Sequence, residues 1–112
     1  MLSELSGDGH VESYQADLSH MADVATLGEA IAANHEQLDV VINNAGVFRT
    51  ADTSTDGGLD IRFAVNTIAP YLLTERLLGL LQSGARVVNI SSALQSPVDL
   101  GALAGRTRIP DP

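Results

Sequence analysis

Apolar positions along the chain fall into segments that each have their own period. Residues 11 to 16, VESYQA, alternate loosely and carry one β-branched and one aromatic residue, which predicts a strand. DLSH follows with helix-start chemistry and places Ser19 as the expected N-cap. Val24, Leu27 and Ile31 recur at helical spacing inside an alanine-rich run, predicting a helix over 20 to 35. LDVVINN has a continuous apolar core, the pattern of a strand buried on both faces. The loop VFRTADTS then leads to Thr55, expected to cap a long helix whose first turn carries Asp56 and Asp60 at the positive helix end. Ile61, Val65, Ile68 and Leu72 make one stripe of that helix, and Ala69, Leu73, Leu77 and Leu80 a neighbouring one. Its end is expected near Gln82-Ser83-Gly84, with Gly84 at the position after the C-cap. ARVVNISS predicts a second buried strand, and SALQSPVDLGALAGRTRIPDP a loop with a short helical turn and a frayed tail. Strand, helix, strand, helix, strand is the α/β signature, with right-handed crossovers between parallel strands.

The stretch LDVVINNAG drives an apolar strand into two carboxamides and then removes nearly all side-chain bulk. Asparagine is depleted from strands and favoured in turns, so Asn43 and Asn44 mark the strand end. Ala45-Gly46 leaves bare backbone there. In an open parallel sheet, ligands bind outside the carboxyl ends of the strands. A plain Asn-Ala-Gly turn fits the same residues, and this segment alone does not choose between the two.

Composition narrows the function classes. At 112 residues, 45% hydrophobic, the chain is expected to form one domain with a modest core. A formal charge of -8 argues against nucleic acid, which is bound by neutralising phosphates, and against anionic membrane surfaces. The chain has no cysteine, which excludes disulfides and thiolate metal sites. The sequence MLSELSGDGH has no basic segment followed by an apolar run, so no signal peptide is expected, and no stretch approaches a membrane span. A cytoplasmic location is the resulting expectation. His10, His20 and His35 have no ligand spacing and are expected at the surface, with no metal.

ADLS, LDVVINNAG, FAVNTIAPYLLTERLL and ARVVNISSA, in that order, resemble the middle of the short-chain dehydrogenase/reductase family, Rossmann-type oxidoreductases that use NAD or NADP. DGGLDIRFAVN and the segment after the serines are similar to its retinol-dehydrogenase-like branch. The resemblance implies a partial doubly wound parallel sheet of about three strands with two main helices, and a small carbonyl or alcohol substrate. It implies that Asp17 accepts a hydrogen bond from the adenine amino group with Leu18 alongside. A capping role for Asp17 before the helix stands as the alternative. Asn43 would pin the turn, Ala45 and Gly46 would let backbone approach ribose and phosphate, and Val65, Ile90 and Ser91 would line the rest of the groove. Ser92 matches the catalytic serine, and no G-x-S-x-G elbow surrounds it to suggest a hydrolase instead. Asn66 matches the active-site asparagine that helps hold a relay water. Pro70, four residues on, has no N–H to give the Asn66 carbonyl.

The departures from the family pattern are as informative. No glycine-rich phosphate loop joins a strand to a helix here, since Gly7-Asp8-Gly9 precedes the first expected strand. Met1 falls where the family's second helix should be finishing. The only tyrosines are Tyr14 and Tyr71, and there is no lysine, so the Tyr-x-x-x-Lys pair is missing. Residues 1 to 112 are thus expected to form a single incomplete Rossmann-like domain, an internal fragment that binds NAD or NADP weakly and is inactive alone. The alternatives are a noncatalytic nucleotide-binding or chain-pairing module, or a gene remnant. In the family's strand order the strand at 11 to 16 would stand two strands away from that at 38 to 44. It is therefore expected either to re-pair beside 38 to 44 or to leave sheet edges that a second copy covers.

Overall fold

A computed structural model of the chain describes residues 9–92 and 97–107. The described elements run α1 (Met21–Asn34), β1 (Leu38–Asn43), α2 (Ile61–Phe63), a π-helical turn (Ala64–Ile68), α3 (Ala69–Leu77), a 3-10 turn (Leu78–Leu80), β2 (Leu81–Asn89) and α4 (Leu100–Leu103). β1 and β2 pair in parallel, with Val41 opposite Val87, Ile42 opposite Val88 and Asn43 opposite Asn89. The helical stretch between them supplies the crossover that parallel neighbours require.

Asp60 caps that stretch by accepting the N–H groups of Arg62 and Phe63, and its carboxylate also meets the Arg62 guanidinium at 3.1 Å. Pro70 explains the π-helical turn. It has no N–H for the Asn66 carbonyl, and its ring crowds that oxygen. The helix widens ahead of it, so that the Ala69 N–H reaches back five residues to the Ala64 carbonyl.

Among the described residues the buried apolar side chains are Val24 of α1, Ala64 and Val65 of the π turn, Ala69 and Leu77 of α3, and Ala102 of α4, with Asp60 the buried charged one. The core therefore lies between helices rather than under the sheet. Gly28 is buried where α1 crosses α3, and a Cβ on it would lie 2.8 Å from the Arg76 Cβ. Only glycine allows the helices to approach so closely.

Several sequence expectations need correction. Residues 11 to 16 form no strand and pair with nothing in the sheet, so the described sheet has two strands, not three, and the expected re-pairing beside 38 to 44 does not occur. Side chains hold this segment instead. Glu12 accepts from Tyr14 at 3.2 Å and meets His10 at 3.2 Å and His35, at the end of α1, at 2.7 Å. His20, not Ser19, occupies the N-cap of α1, because Asp17 draws the Ser19 N–H and hydroxyl into a tight turn at 2.9 and 2.7 Å. Thr55 closes a separate turn, accepting the Gly58 N–H on its carbonyl and the Leu59 N–H on its hydroxyl, and leaves the helix start to Asp60.

Gly84 does not end a helix. It sits within β2 at φ 88°, where β2 advances from Leu81 to Arg86 while β1 advances only from Leu38 to Val40. That surplus is a bulge, and glycine tolerates the left-handed backbone it needs. Finally, the strands are not buried on both faces. Helix α3 lies over the face bearing Asn43, while Val40, Ile42 and Val88 on the other face are 50%, 62% and 40% exposed.

Candidate functional site

At the carboxyl ends of β1 and β2, each apolar run stops at an asparagine, and the register sets the two opposite each other. The Asn43 side-chain amide donates to Asn89 Oδ1 at 2.8 Å and to the Thr74 hydroxyl of α3 at 3.2 Å. The strand ends and the covering helix are tied at one point. The Ile90 N–H continues the ladder to the Asn43 carbonyl at 3.0 Å.

Asn66 governs the next turn of chain. Its Oδ1 accepts the Val47 N–H at 2.7 Å and its Nδ2 donates to the Val47 carbonyl at 2.9 Å. One side chain thereby satisfies both backbone groups of Val47, as a neighbouring strand would. Its side-chain amide is thus engaged with the backbone just after the NNAG sequence, while the main-chain carbonyl that Pro70 leaves without a helical donor is the group expected to hold a water. The π-helical turn, a feature frequent at functional sites, aims the residue there.

Two cavities flank this turn and meet at Ala45. The first, of about 480 Å³, lies between α3 and the strand ends and is lined by Asn43, Asn66, Pro70, Tyr71, Asn89 and Ile90 among others. The second, of about 630 Å³, is bounded by Gln15, Ala16, Asp17, Leu18 and Asp23 on one side and by Ala45, Gly46, Val47 and Val65 on the other. Asp17, Leu18, Ala45, Gly46 and Val65 therefore surround one cavity, and Asn43, Ala45, Asn66 and Ile90 the other. Ser91 and Ser92 follow β2 on the exposed end of that strand and line neither cavity.

The Asp17 carboxyl is held below its ordinary range by the Ser19 hydroxyl and then the Ser19 N–H, which outweigh the upward push of burial, with a weaker downward pull from the nearby His20. It is ionised at neutral pH and can only accept hydrogen bonds. Gly46 has room to spare: a Cβ there would meet only Asn66 Oδ1, at an ordinary 3.5 Å, and its φ is not positive. Packing within the chain does not demand glycine at this position. Its missing side chain leaves open space on the cavity side.

Gln15, Asp23, Thr74 and Asn89 belong to the site but escaped the sequence reading. A signal existed for Asn89, since VVIN and VVN both end an apolar strand in asparagine. No group of His, Asp and Glu residues able to hold a metal occurs among the described residues. Also among the described residues, no helix is long and apolar enough to cross a membrane.

A sequence model described as short chain dehydrogenase matches residues 1–99. The chain is 40% identical over 89 residues to retinol dehydrogenase 14 of Mus musculus, covering 78% of this chain and 27% of that protein. It is 33% identical over 103 residues to retinol dehydrogenase 13 of Homo sapiens, covering 88% of this chain and 31% of that one. The chain thus spans less than a third of the length of these relatives. Among solved structures, a metagenomic short-chain oxidoreductase in complex with NADP aligns at TM-score 0.65 and 30% identity, over 94% of this chain and 52% of that one. The Pseudomonas aeruginosa RhlG/NADP active-site complex aligns at TM-score 0.64 and 26% identity, over 91% of this chain and 44% of that one. The Rossmann-type assignment stands, as a partial α/β fold with a two-stranded parallel sheet.

Proposed function

Because the chain belongs to the short-chain dehydrogenase family, we propose that it carries part of the nucleotide groove of an NAD(P)-dependent oxidoreductase acting on a small alcohol or carbonyl compound. The observation that carries this reading is the pair of cavities meeting at Ala45, across the ends of the parallel strands. In this reading the ionised Asp17 accepts from the adenine amino group, with Leu18 and Val65 against the ring. Ala45 and Gly46 let the ribose approach the backbone. Asn43 and Asn66 hold the strand end and the turn in shape, and Ile90 and Ser91 lie toward the nicotinamide end. Ser92 donates to the substrate oxygen. The bound nucleotide would supply or take up the hydride.

The fit is one-sided. The adenosine end finds an acceptor and open space, whereas the chain contains no glycine-rich loop at a helix start to receive the phosphates. Reduction of a carbonyl also needs a proton donor poised near neutral pH, and the chain offers neither the family's tyrosine in its lysine-spaced setting nor any lysine. We therefore expect no turnover by this chain alone. The names of the relatives point to retinoid alcohols as the substrate class of a longer protein with this sequence. The test is steady-state absorbance at the reduced-nicotinamide band with retinol or retinal, NAD or NADP, and purified chain. Reproducible cofactor-dependent turnover would overturn the assignment of proton transfer to groups the chain lacks.

A second reading, a chain-pairing module, is favoured by the open sheet face of Val40, Ile42 and Val88 and by the outer edge of β1. Sedimentation velocity separates the two readings. A concentration-dependent dimer that Ile42→Lys dissolves supports pairing, and a monomer at all concentrations counts against it.

A further inference from the structure

We infer that Asp56-Gly57 is a site of spontaneous backbone modification, where the chain converts aspartate to isoaspartate through a cyclic imide. The two residues form the tip of a hairpin-like turn. Ser54 bridges to Asp60 in antiparallel register, the Thr55 N–H donates to the Leu59 carbonyl at 2.8 Å, and the Gly58 N–H donates to the Thr55 carbonyl at 2.9 Å. The Asp56 side chain is 95% exposed, and its one partner among the described residues is the His20 ring at 3.1 Å. The Gly57 N–H has no hydrogen-bond partner among the described residues, so the attacking nitrogen is unengaged. Gly57 also has no Cβ to hinder its approach to the Asp56 carboxyl carbon.

The reaction needs no oxidant, cofactor or bound nucleotide. The Gly57 nitrogen attacks Asp56 Cγ and forms the N–Cγ bond, and one carboxylate oxygen leaves as water with the Gly57 amide proton and one proton from solvent. Hydrolysis of the five-membered imide returns that water. Breaking the new N–Cγ bond restores aspartate, whereas breaking the bond from nitrogen to the main-chain carbonyl carbon leaves the chain running through Cγ as isoaspartate. Two other aspartates lie nearby without this setting. Asp60 is buried, with the N–H of the following Ile61 donated to the Thr53 carbonyl at 2.9 Å, and Asp52 is followed by the β-branched Thr53.

The location gives the modification a consequence. Isoaspartate adds one methylene to the backbone inside the turn that the Gly58 N–H closes on the Thr55 carbonyl. The Gly58 carbonyl must then shift, and it is the seat of the segment after α4. Gly105, at φ 76°, packs so closely on that carbonyl that any side chain would collide with it. Conversion at Asp56 therefore loosens the α4 segment while leaving the strand ends on β1 and β2 untouched.

The test is incubation of the purified chain in water enriched in oxygen-18 at neutral pH and body temperature, followed by trypsin and mass spectrometry. Cleavage at Arg49 and Arg62 releases residues 50–62, which carry Asp52, Asp56 and Asp60 on one peptide and leave the Asp8-Gly9 pair on another. Isoaspartate with incorporated label should accumulate at Asp56 and not at Asp52 or Asp60, relative to chain digested without incubation. Gly57→Val should slow it at least about fivefold by crowding the attacking nitrogen. That variant is expected to fold, because the φ of Gly57 is not positive and a Cβ there meets only Thr55 Oγ1 at an ordinary 3.7 Å. As isoaspartate builds up, a second Gly105 amide resonance should grow in proportion. Absence of isoaspartate at Asp56, an equal amount at Asp52, or an undiminished rate in Gly57→Val would overturn the site, and a single unshifted Gly105 resonance in converted chain would overturn its link to the α4 segment.

Discussion

Replacing Asn66 with alanine removes the clamp on the NNAG turn, and its size can be worked from the two bonds. Val47 loses an acceptor at 2.7 Å and a donor at 2.9 Å. A net hydrogen bond contributes about 0.5–1.5 kcal/mol, and because Asn66 is exposed, water replaces part of what is lost. The lower half of that range applies twice, giving about 1–2 kcal/mol. Since about 1.4 kcal/mol is a tenfold change in equilibrium, the Val47 amide should exchange with solvent about 5- to 30-fold faster in Asn66→Ala. Hydrogen exchange followed by NMR measures this residue by residue, with the amide of Leu27 in α1 as the reference. Exchange at Val47 within about twofold of wild type would refute the clamp. Equal acceleration at Val47 and Leu27 would mean that the whole fold, not the turn, had been weakened.

Further substitutions probe the scaffold. Gly28→Val places a Cβ 2.8 Å from the Arg76 Cβ, so α1 and α3 must separate, and urea unfolding should report a loss of about 1–3 kcal/mol. Asp60→Ala removes an N-cap and should cost about 1–2 kcal/mol at pH 7. Burial pushes the Asp60 carboxyl up, but the Arg62 side chain and the N–H groups of Phe63 and Arg62 outweigh it and hold the group below its ordinary value. Its folded pKa is therefore depressed. The stabilisation is full above the unfolded carboxyl range and is lost as pH falls through the folded value, so the Asp60→Ala deficit should shrink in acid. Contacts with His10, His35 and Tyr14 likewise lower the Glu12 carboxyl, and its side-chain carbon resonance should move to a higher titration midpoint in His35→Gln.

How much of this was legible in the sequence depended on whether the deciding contact was local. Periodicity placed α1 to within a residue or two, because Val24, Leu27 and Ile31 encode a face whatever surrounds them. β1 and β2 were legible from unbroken apolar runs, but their open face was not, since a run states what a strand wants to bury and not whether a partner is there. VESYQA read as a strand for the same reason: a strand needs a neighbour, and Glu12 found histidines instead. The cap moved from Thr55 to Asp60 because two acidic residues and a threonine all suit a helix start. Asp60 accepts the Arg62 and Phe63 N–H groups, while Thr55 is occupied in closing its own turn. Asp17, Ala45, Gly46 and Asn66, singled out from separate motifs, line two adjoining cavities. The clamp of Asn66 on Val47 spans 19 residues and left no local trace.

In the proposed groove, the cavity between Asp17 and Val47 receives the adenosine end of a nicotinamide dinucleotide. The most direct measurement is a titration of the isotopically labelled chain with NAD, NADP and adenosine monophosphate, following every backbone amide. Shifts should be confined to residues 15–18 and 45–47 for all three ligands. The dissociation constants should be in roughly the millimolar range, about 4 kcal/mol of binding, because no described group holds the phosphates. Asp17→Asn should weaken all three alike. Micromolar binding, or shifts absent from residues 15–18 and 45–47 at saturating ligand, would contradict it.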